Sequence, residues 1–81
     1  GVNLVGARLV EAHLRFINLI AANLEGADLS RTNLEGARMS KSNLRGSNLR
    51  GAILSEADLL GAILEGADLR DTELDRDPSS S

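Results

Sequence analysis

His13 is the chain's single histidine, and there is no cysteine. Acid–base work by an imidazole needs a reacting partner held against it, and a metal site needs several convergent ligands. One histidine without cysteine supplies too few. It stands immediately before Leu14, at a position that reads as outward-facing and solvated. Carboxylates are plentiful, and Asp68, Asp71, Glu73 and Asp75 crowd together near the C-terminal end. A carboxylate pair doing acid catalysis wants a cleft to hold it. Glycines recur too, but outside the strand–loop–helix setting of a phosphate-binding loop. No catalytic residue, cofactor site or metal site follows from these residues, and the chain reads as a non-enzyme.

The elements that would have to position any chemistry are set by a period of five. Leucine, once replaced by Met39, falls at every fifth residue from Leu4 to Leu74. A small residue, usually alanine, stands two residues before nearly every beat. Five residues turn an α-helix by about 500°, so the leucines would spread around its whole surface. On a flat strand an odd step would send successive leucines to opposite faces. A chain that bends once per repeat escapes both problems, because each leucine and the residue two before it share one side and a corner follows. Of eight glycines, seven fall two residues after a beat: Gly6, Gly26, Gly36, Gly46, Gly51, Gly61 and Gly66. That is the third position of a type II turn, where φ is positive. Where the slot holds Glu11, Phe16, Arg31, Lys41, Glu56, Asp71 or Arg76, a different and more open corner is expected.

Charges count the repeats per coil. In stacked parallel strands, residues one coil apart lie about 4.8 Å from each other, where opposite charges help and like charges hurt. An offset of 20 residues gives seven opposite pairs: Arg8–Asp28, Glu11–Arg31, Arg15–Glu35, Glu25–Arg45, Arg45–Glu65, Arg38–Asp58 and Glu56–Arg76. One like pair, Arg50–Arg70, opposes them. Offsets of 15 and 25 give three opposite pairs each, with two and one like pairs. Four pentapeptides per coil are therefore expected. Fifteen repeats then make about 3.75 coils, roughly 18 Å tall. The leucines form interior columns such as Leu4/Leu24/Leu44/Leu64 and Leu14/Leu34/Leu54/Leu74, with Thr32 and Thr72 also pointing inward. Val2 and Ile17 are oversized for the small inward slot and should distort the first coil.

Motifs such as Ala22-Asn23-Leu24-Glu25-Gly26 and Ala67-Asp68-Leu69 resemble the pentapeptide repeat proteins, small cyanobacterial members among them. The resemblance covers residues 2–76. It implies an all-β fold, a right-handed quadrilateral parallel β-helix or solenoid, in agreement with the four-sided count. It also implies a possible role for a minority of members, mimicry of duplex DNA at DNA gyrase.

Length allows one domain, the repeat region 2–76, followed by a tail at 77–81 in which Pro78 stops strand pairing and the serines are expected to be disordered. No apolar run reaches the roughly 18 residues of a membrane helix. With no signal peptide in view, a cytoplasmic location and no membrane partner are expected. Nine basic and twelve acidic residues give a net charge of −3, with both signs interleaved. That balance argues against a nucleic-acid partner, which requires a basic surface.

The first coil departs from a solvated exterior. Its outward slots hold Val5, Val10 and Ile20, with Phe16, the single aromatic residue, on the corner after Leu14. Later coils place charged or hydroxyl residues there, although Ile53, Leu60 and Ile63 form a scattered second set. A contiguous apolar patch marks an interface; packing of these residues on one another or beneath a preceding segment is the competing reading. The expected function is a non-catalytic structural or protein–protein interaction module with a protein partner and end-to-end self-association through the first coil. The alternative is a DNA-mimicking binder of DNA gyrase. An ice-binding solenoid would want threonine rows, which Thr32 and Thr72 do not supply.

Overall fold

The computed structural model describes residues 1–74, and Asp75, Arg76 and the 77–81 tail lie outside the described residues. Within them the chain is a stack of coils joined by ten single-residue parallel bridges, all between residues twenty apart, from Asn3–Asn23 to Asn48–Asp68. The twenty-residue register read from the charges is thus the register of the backbone. No strand extends beyond its single bridge residue, because a corner follows every leucine.

Each coil-to-coil step is held by a repeating set of hydrogen bonds. The N–H of Leu4 donates to the Asn23 carbonyl at 2.7 Å, that of Gly6 to Glu25 at 3.0 Å, and that of Asn23 back to Val2 at 2.8 Å. Four sides make twelve such bonds between the first coil and the second, eight in one direction and four in the other. Every corner also closes on itself. The N–H of Ala7 donates to the Leu4 carbonyl at 3.0 Å, and the same bond recurs through to Thr72 and Leu69 at 3.2 Å.

The corners overturn one expectation. Glu11, Phe16, Arg31, Lys41, Glu56 and Asp71, joined by Ala21, do not open the turn; their φ angles are +56° to +62°, beside +65° to +75° for the seven corner glycines. All fourteen corners are one turn type. Left-handed backbone costs a side-chain-bearing residue about 1–2 kcal/mol. Opening the corner at Phe16 would lose its own bond to the Glu35 carbonyl (2.9 Å) and the turn bond from Ile17 to Leu14 (3.2 Å). At about 0.5–1.5 kcal/mol each, those bonds match or exceed the strain.

Inside, Leu24, Leu29, Leu34, Met39, Leu44 and Leu49 are sealed from solvent. Leu4, Leu9, Leu14, Leu59, Leu64 and Leu69 are half-buried, because among the described residues the first and last coils have a neighbour on one side only. Leu74, at the end of its column, is exposed. The expected distortion at Ile17 is absent: it packs against the core, keeps its turn bond, and accepts from the Arg38 N–H at 2.8 Å. Ala37 occupies the same slot one coil on and leaves it room. Val2 likewise keeps its ladder bond to Asn23. Inward hydroxyls are satisfied locally, Thr32 Oγ1 donating to Leu29 O at 2.6 Å and Ser42 Oγ to Met39 O at 2.8 Å. Among the described residues no buried side-chain polar atom lacks a partner.

Candidate interaction surfaces

The outer wall is built from three positions per repeat: the residue before each leucine and the two corner residues after it. Asparagine or aspartate before the leucine has a definite task. Its Oδ1 accepts the N–H two residues on, as in Asn23 to Glu25 at 3.2 Å, Asn33 to Glu35 at 3.1 Å and Asn48 to Arg50 at 3.0 Å. All nine Asn and Asp residues at this position in the described chain make the bond. It satisfies the corner amide that the ladder leaves free, and it turns these polar side chains back on their own corners. Their regular column is thus turn chemistry. The Asx-turn geometry of Asn and Asp was the available signal for it, and the charge count passed over it.

The charged groups are similarly engaged. Arg15 Nε lies 2.9 Å from Glu35 and Arg31 Nε 3.9 Å from Glu11, two of the pairs expected at an offset of twenty. The like pair Arg50–Arg70 is relieved sideways: Arg50 Nε meets Asp71 at 3.2 Å, and Arg70 grips both oxygens of Asp68 at 2.9 and 2.7 Å. That grip, with the Arg70 backbone N–H, holds the Asp68 carboxyl down at a pKa of about 2. Asp28 is also lowered, first by the Ser30 hydroxyl at 2.7 Å and then by the Ser30 amide. Asp68 and Asp71 therefore face arginines rather than one another. Among the described residues no group of three His, Cys, Asp or Glu gathers as a metal site, and no helix is long and apolar enough to cross a membrane. An open hollow of about 500 Å³ lined by Ser30, Arg31, Asn48, Arg50, Gly51 and Asp71 contains the Arg50–Asp71 pair. His13 is exposed on the first coil and bridges Asn33 through its backbone.

The four apolar residues singled out in the first coil are not brought into one patch. Val5, Val10, Phe16 and Ile20 stand at four successive corners and so ring the coil. Val5 and Phe16 are exposed, whereas Val10 and Ile20 are half-buried. Phe16, 63% exposed, lies over Gly36 one coil on and carries the Arg15 guanidinium 5.1 Å from its ring centre. Of the second set, Leu60 is 80% exposed and adjoins Ile63 across one corner, while Ile53 lies on another side.

Among the described residues, backbone groups without a bond to another coil are found on the first coil. There, among the described residues, the carbonyls of Asn3, Val5, Arg8, Val10, His13, Arg15, Asn18 and Ile20 accept no backbone bond, and the N–H groups of Asn3, Arg8, His13 and Asn18 donate none.

Comparison with known proteins gives a consistent picture. A family model described as pentapeptide repeats matches residues 1–36 and 32–71, with eight copies. Among solved structures, a pentapeptide repeat protein (Rfr23) from the cyanobacterium Cyanothece 51142 is 39% identical with a TM-score of 0.87, over 91% of this chain and 50% of that one. HetL from the cyanobacterium Nostoc sp. strain PCC 7120, a pentapeptide repeat protein involved in heterocyst differentiation regulation, is 40% identical over 88% of this chain and 38% of its own, with a TM-score of 0.47. A pentapeptide repeat protein of the Arabidopsis thaliana thylakoid lumen is 29% identical over 98% of this chain and 68% of its own, with a TM-score of 0.44. This chain thus spans half the length of the Cyanothece protein or less than half that of HetL. No curated protein matches it at comparable significance.

Proposed function

The chain belongs to the pentapeptide repeat family, and from that premise we propose that it is a non-catalytic structural or protein–protein interaction module. Residues 2–76 then form one right-handed, four-sided coil of about 3.75 turns, a reading supported by the family's fold and the twenty-residue register. One observation carries the functional reading. The outward Asn and Asp side chains are committed to their own corners and several arginines to nearby carboxylates, while exposed apolar residues such as Val5, Phe16 and Leu60 remain. Solenoids bind through such exposed, repetitive surfaces.

The supporting experiment compares partner capture by the wild-type chain with two variants. One carries Val5→Glu, Val10→Glu, Phe16→Glu and Ile20→Glu; the other carries Ser30→Glu and Ser40→Glu on the second coil. Loss of a partner with the first variant and retention with the second supports the reading. Equal capture by all three removes the first coil from the interface.

DNA mimicry at gyrase is the rival that family membership brings. It is disfavoured by Arg15, Arg31, Arg50 and Arg70, which interrupt any continuous negative face. A supercoiling assay separates the two: the module reading expects no inhibition at micromolar protein, and inhibition there reverses the ranking.

A further inference from the structure

One edge of the coil stacks arginines. The Arg31 N–H donates to the Arg50 carbonyl at 2.8 Å and the Gly51 N–H to the Arg70 carbonyl at 2.9 Å, so successive coils set Arg31, Arg50 and Arg70 on the same edge. Like charges on neighbouring coils repel unless something offsets them. Arg70 grips both oxygens of Asp68, and Arg50 gives its Nε to Asp71. Arg31 is met less well, for its Nε lies 3.9 Å from Glu11, beyond hydrogen-bonding distance. Among the described residues the terminal guanidinium nitrogens of Arg31 and Arg50 donate no hydrogen bond. Both arginines line the open hollow of about 500 Å³.

The neighbours of these two arginines complete a donor set. A β-carbon on Gly51 would come within 3.1 Å of Arg31 Cγ, so glycine at this corner gives the Arg31 stem its seat. Asn48 Oδ1 accepts the Arg50 N–H at 3.0 Å, which leaves the Asn48 Nδ2 as a further donor in the lining. The Ser30 hydroxyl is already donated to Asp28 at 2.7 Å. A carboxylate has two oxygens, and a single guanidinium fork fills them. Two guanidinium ends and an amide suit instead a group with three strong acceptor oxygens and a charge of about −1.5 to −2 at pH 7, which is a phosphate monoester. The hollow falls within the roughly 300–1,000 Å³ of small-ligand clefts, so it also has room for the atoms that carry the phosphate. We propose that this edge binds a phosphate monoester, with Arg31 and Arg50 clamping the phosphate between them. Asp71, beside Arg50, opposes the anion and limits its affinity. The site is separate from the first-coil apolar residues and does not rest on the interaction-module reading.

The test is an NMR titration of the whole chain with O-phosphoserine, glycerol phosphate and inorganic phosphate, each read at the Nε–H groups of Arg31 and Arg50 and the backbone N–H of Gly51. Saturable shifts there with either ester, at lower concentration than with inorganic phosphate, are the expected result, and the tighter ester names the class of carrier. Arg31→Gln and Arg50→Gln are each expected to weaken ester binding about tenfold. Arg31→Lys also weakens it, since an ammonium keeps the charge and loses the fork. Asp71→Asn tightens it by removing the opposing charge. Arg45→Gln, on a different corner, leaves it unchanged. Arg31 and Arg50 are both exposed, and melting temperatures check that each variant keeps the fold. No saturable shift with an ester up to about 10 mM, tighter binding of inorganic phosphate than of both esters, or an equal loss in Arg45→Gln overturns the proposal.

Discussion

The ring of Phe16 lies across the corner that Gly36 forms one coil later, so close that a β-carbon on Gly36 would come within 2.5 Å of two ring carbons. Gly36 also has φ of +66°. Two separate reasons thus call for glycine at this corner. Gly26, at φ +69°, has only the first, since nothing lies within 4 Å of its missing side chain.

Gly26→Ala is expected to cost about 1 kcal/mol, the left-handed penalty alone. Gly36→Ala costs more, because Phe16 must swing away and lose its place under Arg15. In a Phe16→Ala background the two substitutions should cost the same. Urea denaturation of the single and double variants reads the difference directly.

The Asx bonds give a second contrast. Asn33→Ala removes the acceptor for the Glu35 N–H and is expected to cost about 0.5–1.5 kcal/mol. Arg38→Ala, at the equivalent position, removes no such bond and should fall within about 0.5 kcal/mol of wild type. Equal costs would show that the bond adds nothing to the corner.

These two contrasts mark where the sequence was legible. The leucine period fixed which side chains point inward, and the charge pairs fixed the register, because both repeat along the chain and each repeat confirms the last. Corner geometry was misread for Glu11, Phe16 and the others. A local propensity argument does not see that the corner amide is already committed to a carbonyl one coil on, as Phe16 is to Glu35. The apolar set Val5, Val10, Phe16 and Ile20 was legible as residues but not as a surface. Only the four-sided path shows that they stand at separate corners.

Position along the stack should govern the cost of cavities. Leu44→Ala, in the sealed middle of its column, is expected to cost about 2–5 kcal/mol. Leu4→Ala, in the same column at the open end, is half-buried and should cost roughly half as much. Thermal melts of both variants check the gradient.

Acid should act through Asp68. Its carboxyl has a pKa of about 2 in the folded chain against an ordinary 3.8, so the Arg70 grip stabilises the folded state fully above pH 3.8. That contribution is lost as pH falls from about 4 to about 2. The melting temperature of wild type should drop over this window, and Asp68→Asn should flatten part of the drop. Identical profiles would show that the grip persists on unfolding or contributes nothing.

The most direct test of the twenty-residue coil is amide hydrogen exchange followed residue by residue. The N–H groups of Leu24, Leu29, Leu34 and Met39 donate to the carbonyls of Asn43, Asn48, Ile53 and Asp58 one coil on, whereas those of Arg8 and His13 donate to no backbone carbonyl among the described residues. The four-sided register predicts slow exchange for the first set and fast exchange for the second. Fast exchange at Leu24, Leu29, Leu34 and Met39 would contradict it.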